Sequence, residues 1–368
     1  FTCKSSITTE SSIGTILKRT TVHSKGTFLM TDTQLREITA EEMRIGAAGV
    51  TPLPIEQSAI WEQYEAVEGR KLWGRFEYSE NGKRIALVAL YEYSMRGARY
   101  LWAKHGPVWL KEATPSRERA FRDALGRYVR QKDSSIVFIR LNAIFNDTDL
   151  RDVMQIITYD RTVIIRSYGG DEEKILGDMT KEGRRQLRRS RKALSEVQTT
   201  IADECDQAAE DFTEYYEVLK ETAERDGFSP HPAQVYSTML KVLGPEHSRL
   251  FVLRVDGEVV AWNLILINDR QAECYYGATT AKARKLGAMP ELDVQCAIIL
   301  GPELDVNGGI DLMGIHSPRV PELFTVGKYK LSFAQGYTDV PGAWDLPLRP
   351  RLYAGLRNLL SIKRALRS

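Results

Sequence analysis

The chain has 368 residues, 43% of them hydrophobic and 27% charged, a composition that supports two packed domains and excludes a disordered or fibrous protein. Its net charge of +2 excludes nucleic-acid binding by bulk charge, so an anionic partner has to be held by local patches. No apolar run of about 18 residues occurs, which excludes a membrane-spanning helix, and Cys3, Cys205, Cys274 and Cys296 have neither metal-ligand nor CxxC spacing, which fits a reducing cytoplasm.

Residues 1–29 are rich in Ser and Thr without apolar periodicity or a signal-peptide core, and read as an extension outside the fold. From Pro54 to Gly69, the residues Ile55, Ile60, Trp61, Tyr64 and Val67 recur at helical spacing between a starting Pro and a terminal Gly. Two strand-like runs, Leu72–Tyr78 and Arg84–Tyr93, flank Asn81-Gly82, a pair suited to the positive-φ positions of a hairpin turn. A short strand over Arg99–Ala103 follows, then a helix opened by Thr114-Pro115 and ending near Gln131, then the β-rich segment Ser135–Leu141.

The same order then returns. A helix over Asp206–Arg225 precedes the strand Arg249–Val255, the turn Asp256-Gly257 and the strand Glu258–Ile267. Ala272–Tyr276, a helix around Glu291–Leu300 and the short strand Gly309–Met313 complete the second set. Two such units roughly 175 residues apart predict an internal structural duplication. Their order is that of the GCN5-related acetyltransferases, so the expected fold is α+β, two tandem acetyltransferase-like domains with a cleft between them. Those enzymes hold the pyrophosphate of acyl-CoA on a Q/R-x-x-G-x-G/A loop at a helix N-terminus. The nearest string here, Arg284-Lys285-Leu286-Gly287-Ala288-Met289, puts Met289 where a small residue is needed, which disfavours acyl-CoA.

Three stretches resemble the Fem family, the non-ribosomal peptidyl transferases that build peptidoglycan cross-bridges. Gln57-Ser58-Ala59-Ile60-Trp61 is similar to the family's Q-S/T-x-x-W. Gly277-Ala278-Thr279 through Ile310-Asp311-Leu312-Met313-Gly314-Ile315 resembles its long helix followed by Y-D-L-G-G-I. Tyr329-Lys330-Leu331-Ser332-Phe333 and then Gly342-Ala343-Trp344-Asp345-Leu346 resemble F-K-x-x-F and G-x-x-D-L. The resemblance spans residues 50–350 and rests on the order of the motifs, each weak alone. It implies domain one over 30–157 plus 347–368, domain two over 158–346, and a last helix that returns to domain one. It also implies transfer of an amino acid from aminoacyl-tRNA to an amine on the peptide of a lipid-linked or UDP-linked peptidoglycan precursor, with no metal or other cofactor. Because an aminoacyl ester is already activated, such an enzyme has mainly to position an amine and stabilise a tetrahedral oxyanion.

By the same resemblance, Lys330 is the leading catalytic candidate, as an oxyanion-stabilising cation; by residue type alone it is an exposed strand lysine. Asp311 matches the family's aspartate, the alternative being a structural hydrogen-bond acceptor at a strand end. Tyr276 stands where the family has a substrate-facing tyrosine, and Tyr329 supplies an aromatic face in place of the usual Phe. Departures from the pattern fall at Asn142, where the family often has a carboxylate, at Glu65, where it has Lys, and at His231, where it has Arg. His231 is kept as a phosphate-binding candidate in its protonated form.

Lys181–Lys192 holds seven basic residues and one acid, and as a helix it sets Arg184, Arg188 and Arg191 on one face. A charge run of this kind is either a solvated face or a ridge for tRNA or diphosphate phosphates. The tail from Arg349 has six basic residues and no acid, with Leu352, Leu356, Leu359 and Leu360 at helical spacing. Its apolar face is expected to pack on domain one, and its basic face to allow peripheral contact with anionic lipid at the inner face of the plasma membrane. Two rivals stay open: an acyl-CoA-dependent N-acyltransferase, and a non-catalytic RNA- or precursor-binding protein.

Overall fold

The computed structural model describes residues 33–154 and 158–365; the extension expected over 1–29 lies outside the described residues. Local signals position the elements much as anticipated. Ser58 caps the helix Ala59–Val67 by accepting from the Trp61 amide, and Thr114 caps Pro115–Lys132 through the Arg117 amide. Asn81-Gly82 and Asp256-Gly257 all have positive φ and turn the hairpins Lys71–Glu80/Lys83–Met95 and Ser248–Val255/Glu258–Asn268. The helix expected over Asp206–Arg225 is instead two, Cys205–Glu210 and Thr213–Asp226. Asp211 breaks it by taking the Thr213 amide onto its own carboxylate, a competition that short acidic side chains win at turns.

Two mixed sheets repeat one plan. In the first, the strands run in the order Thr33–Glu37, Lys71–Glu80, Lys83–Met95, Ala98–Trp102, Phe138–Ala143, Gly342–Pro347 and Arg151–Asp152, with Val108–Trp109 paired to Lys83–Met95. In the second, the order is Thr199–Asp203, Ser248–Val255, Glu258–Asn268, Gln271–Thr279, Gly309–Asp311 and Ile164–Arg166. Each sheet is antiparallel except at one place. There a strand meets the strand that follows the next long helix, in parallel, over two residue pairs: Leu101 with Ile139 and Trp102 with Arg140, and in the second sheet Ala272 with Ile310 and Glu273 with Asp311. In the first sheet the contact continues through Val137 N to the Arg99 carbonyl, Ala103 N to the Arg140 carbonyl and Asn142 N to the Gly106 carbonyl.

The halves are joined by a shared apolar core, in which Trp61, Tyr64 and Leu87 from the first pack with Phe212, Tyr236, Leu240 and Trp262 from the second. At about 25 cal/mol per Å2 buried, aromatic groups of this size make the joint a major part of the fold's stability. Gly342–Pro347, expected in domain two, hydrogen-bonds along Phe138–Ala143 and so belongs to the first sheet. The chain therefore re-enters its first half at Gly342, before the last helix. That helix, Pro350–Ala365, packs Tyr353, Leu356 and Leu360 against Tyr100, Val137 and Phe138 of the first half, while Leu352 and Leu359 face solvent. Among the described residues no helix is long and apolar enough to cross a membrane.

Candidate active site

A cavity of about 270 Å3 lies where the two halves meet. Trp102, Lys104, His105 and Asn142 line it from the first half, and Tyr275 and Met313 from the second. The Q-S-x-x-W stretch builds one wall. The Gln57 side-chain amide donates to the Lys104 carbonyl at 2.7 Å and its oxygen accepts from Ala89 N at 2.7 Å, clamping the Lys104–His105 loop to the sheet. Gly106 is needed beside that clamp, because a Cβ there would lie 2.8 Å from the Gln57 amide. Trp61 Nε1 donates to Glu65 at 2.9 Å, and Glu65, fully buried, also accepts from Tyr93 at 2.7 Å and pairs with Lys104 at 3.3 Å and with Arg70. The Lys104 ammonium also stands 5.1 Å from the ring centres of Trp61 and Trp102.

Lys330 reaches the second-half lining of the cavity through the Met313 carbonyl. It ends the helix Phe324–Lys330 and is half-buried, not an exposed strand residue. Its ammonium donates to the carbonyls of Met313 at 2.8 Å and Gly314 at 3.0 Å. Those carbonyls are turned toward it by Asp311, whose carboxylate accepts from the Met313 amide at 2.6 Å and from the Thr162 hydroxyl, with Met313 held at φ +57°. Burial draws the Lys330 ammonium below the usual lysine range, opposed by Cys274, Asp311 and Asp293. Burial likewise pushes the Asp311 carboxyl up, against the hydrogen bonds from Thr162 and Met313. Asp311 and Lys330 are therefore brought together, with Asp311 shaping the turn that holds the lysine.

Other candidates fall elsewhere. Tyr275, not Tyr276, lines the cavity. The pairing passes from Leu264–Tyr276 to Ile265–Cys274, so Tyr275 is the extra residue of a β-bulge, which re-aims its side chain. Tyr276 sits edge-on to Tyr236 with ring centres 5.0 Å apart, and the His231 amide donates to the Tyr236 hydroxyl at 3.3 Å, so Tyr276 and His231 form a separate group with His231 exposed. Tyr329 turns inward and donates to Asp293 at 2.5 Å. On the helix Lys181–Leu194, Arg184 donates to the carbonyls of Leu176 and Met179, and Arg191 pairs with Glu172 and Glu291 at 2.6 Å each. These two arginines hold neighbouring segments, whereas Arg188 and Arg189 are exposed. The helix starts beside the loop after Lys330, where Thr180 N donates to the Ser332 carbonyl and Gly183 leaves no room for a Cβ.

Sequence reasoning missed one cluster entirely. Glu56 and His105 of the first half meet Glu273 of the second, with His105 Nδ1 3.2 Å from Glu56 and 3.5 Å from Glu273, and Tyr159 OH 3.5 Å from His105 Nε2. Burial alone would lower the His105 imidazole, and the Glu56 and then Glu273 carboxylates overcome it, holding it well above the usual histidine range. Burial and then repulsion by Glu56 raise Glu273, although His105 opposes the rise. No spacing signal could have found this group, since its members lie far apart in the sequence.

Asp293, on the helix Met289–Leu300, accepts from Asn263 Nδ2 at 2.7 Å as well as from Tyr329, and burial pushes its carboxyl up to about 6. A folded-state value above the unfolded one means that the native chain binds the extra proton between about pH 4 and 6, so stability falls as pH rises through that window. Asp293→Asn is expected to remove this contribution, the parent losing about 2–3 kcal/mol more than the variant between those limits. Urea denaturation across pH 4–6 measures it, and parallel profiles would contradict the assignment.

The fold has counterparts in known proteins. Residues 181–297 match the family model described as "Acetyltransferase (GNAT) domain". A crystal structure of FemX superposes with a TM-score of 0.67 at 13% identity, over 87% of this chain and 99% of that one. A conserved protein of unknown function from Bacteroides thetaiotaomicron VPI-5482 superposes with a TM-score of 0.50 at 11% identity, over 85% and 99%. No curated protein matches in sequence. The class is therefore that of the acyltransferase-fold proteins, with two GNAT-like halves in tandem. Within that class the chain has the overall architecture of FemX.

Proposed function

We propose that this chain is a Fem-type aminoacyl transferase that passes an amino acid from aminoacyl-tRNA to an amine on the peptide of a peptidoglycan precursor. The observation that carries this reading is Lys330. Its half-buried ammonium is fixed on the Met313 and Gly314 carbonyls, and Met313 lines a cavity to which both halves contribute. A cation held in place before reaction is what an ester carbonyl oxygen gaining negative charge requires. The FemX-like architecture and the ordered motifs support the same reading. Incubating the protein with charged tRNAs and purified precursors, then reading mass shifts, tests donor and acceptor together. No mass shift with any pair, in protein shown to be folded, rejects the proposal.

The match to a GNAT domain favours one other reading, acyl-CoA as donor. Local chemistry weighs against it. The amides of Gly287 and Ala288 donate inward to the Arg284 and Ala283 carbonyls, and Met289 packs into the second core. The amide of Ala281, which opens the helix Ala281–Leu286, donates to Glu221. A groove beside Thr280 is lined by five glutamates and Lys220; Glu214, Glu217 and Glu258 pair with Arg254, Lys220 and Lys282, and Glu221 and Glu224 leave it acidic, which disfavours a diphosphate. Equilibrium binding of CoA separates the readings.

On the basic helix, Arg188 and Arg189 are exposed and available to phosphates. Replacing both by Gln is expected to weaken aminoacyl-tRNA binding and to reduce the slope of log K against log salt by about one for each phosphate that is no longer neutralised. An unchanged slope assigns these arginines to a solvated face. The same measurement on Arg191→Gln is expected to report lower stability instead, since its partners Glu172 and Glu291 are left unpaired.

A further inference from the structure

We infer that Glu56, His105 and Glu273 form a divalent-cation site, of the kind taken by Zn2+ or Mn2+, that ties the two halves of the protein together. Two carboxylates and an imidazole are a donor set for such ions, and nothing in the sequence spacing or in the family resemblance points to it. The three ligand atoms lie within 4.8 Å of one another, and the Nδ1 separations of 3.2 and 3.5 Å bracket the roughly 3.3 Å expected between ligands of a tetrahedral ion bound at about 2.0 Å.

Three further observations point to an ion and not to an ordinary ion pair. Glu56 is 1% exposed, and its Oε2, although 3.2 Å from the imidazole, makes no hydrogen bond to any described group; Glu273 Oε2 is likewise buried and unpartnered. Buried acceptors left in that state are costly, and a cation shared by both carboxylates satisfies them. A divalent ion would offset both carboxylates at once, whereas a protonated imidazole carries one charge, with Lys104 contributing from farther away. Lastly, the surroundings fit. Tyr159 stands at the other ring nitrogen, where an outer partner fixes the ring of a ligating histidine. Neighbouring Asp311 is already engaged by Thr162 and Met313, and Lys104 by Glu65.

The group also lies between two openings. Glu56 and His105 line the cavity between the halves, and Glu273 lines a second one of about 170 Å3 beside Asn268 and Gly309, so the group adjoins open space on two sides. Because Glu56 and His105 come from one half and Glu273 from the other, occupancy would hold the halves in a fixed relation. This inference is independent of which acyl donor the protein uses.

The test uses the full chain, stripped with chelator and titrated with Zn2+ and with Mn2+. Binding of one ion per chain, a higher melting temperature, and loss of affinity by more than about a hundredfold in both Glu273→Gln and His105→Gln are expected. Pulsed electron paramagnetic resonance on the Mn2+-loaded parent should detect coupling to one imidazole nitrogen, a readout that does not depend on the variants folding. Failure to bind either ion, binding unaffected by both substitutions, or Mn2+ without nitrogen coupling would each overturn the assignment.

Discussion

Replacing Lys330 by alanine is expected to lower turnover with aminoacyl-tRNA and precursor by about a hundredfold to a thousandfold, the usual cost of losing one preorganised donor to a developing oxyanion. The ammonium is oriented before substrate arrives, because two carbonyls at 2.8 and 3.0 Å hold it and Asp311 holds the turn that presents them. Little reorganisation is then left for the reaction itself. Removing the side chain also leaves the Met313 and Gly314 carbonyls without that donor, which costs about 1–3 kcal/mol of stability, so the variant's fold has to be checked by circular dichroism before its rate is read. Lys330→Arg is expected to recover little, since a planar guanidinium is larger and aims its donors differently at the two carbonyls. Single-turnover rates at saturating donor and acceptor measure the effect. A Lys330→Ala rate within about threefold of the parent, far short of the loss expected for an oxyanion donor, removes Lys330 from the chemistry.

The largest expected effect on stability comes from Asp345→Ala. Arg140 is fully buried among Tyr100, Trp102 and Phe138, and its Nε and Nη2 donate to the two Asp345 oxygens at 2.7 and 3.1 Å. Tyr353 of the last helix donates to the same carboxylate at 3.0 Å. Alanine at 345 strands the guanidinium in an apolar setting, for which a loss of about 3–5 kcal/mol is expected. Exchanging both partners, Arg140→Met with Asp345→Leu, should cost less than the single change, because the penalty lies in the unpaired charge and not in the absence of the pair. Urea denaturation of the three variants gives the comparison. A loss below about 1 kcal/mol for Asp345→Ala would mean that water reaches Arg140. Asp345 lies in the stretch that resembles G-x-x-D-L, so this carboxylate fastens the returning chain to the first sheet rather than serving the cavity.

Much of the fold was legible in the sequence because its signals are local. Asn81-Gly82 and Asp256-Gly257 admit positive φ, Thr114-Pro115 starts a helix by its own hydrogen bond and ring, and period-two runs pair across the turns they flank. These interactions join residues a few positions apart, so spacing alone reveals them, and the duplicated order of elements followed from them. The resemblance to a known family added Lys330 and Asp311, which the tertiary structure does bring side by side.

What only the tertiary structure decided depends on pairings between residues far apart in the chain. Gly342–Pro347 reads as a strand anywhere, and only pairing with Phe138–Ala143 assigns it to the first sheet. The family resemblance points to Tyr276, but a bulge opposite Leu264 inserts Tyr275, and it is Tyr275 that lines the cavity. Arg184 and Arg191 found acceptors on other segments, which a helical face drawn in isolation does not contain. Glu56, His105 and Glu273 converge because a 3-10 turn, a loop clamped by Gln57 and a strand of the other half end at one point. Sequence patterns register the periodicity of an element, whereas the meeting of ionisable groups from separate elements is set by long-range packing.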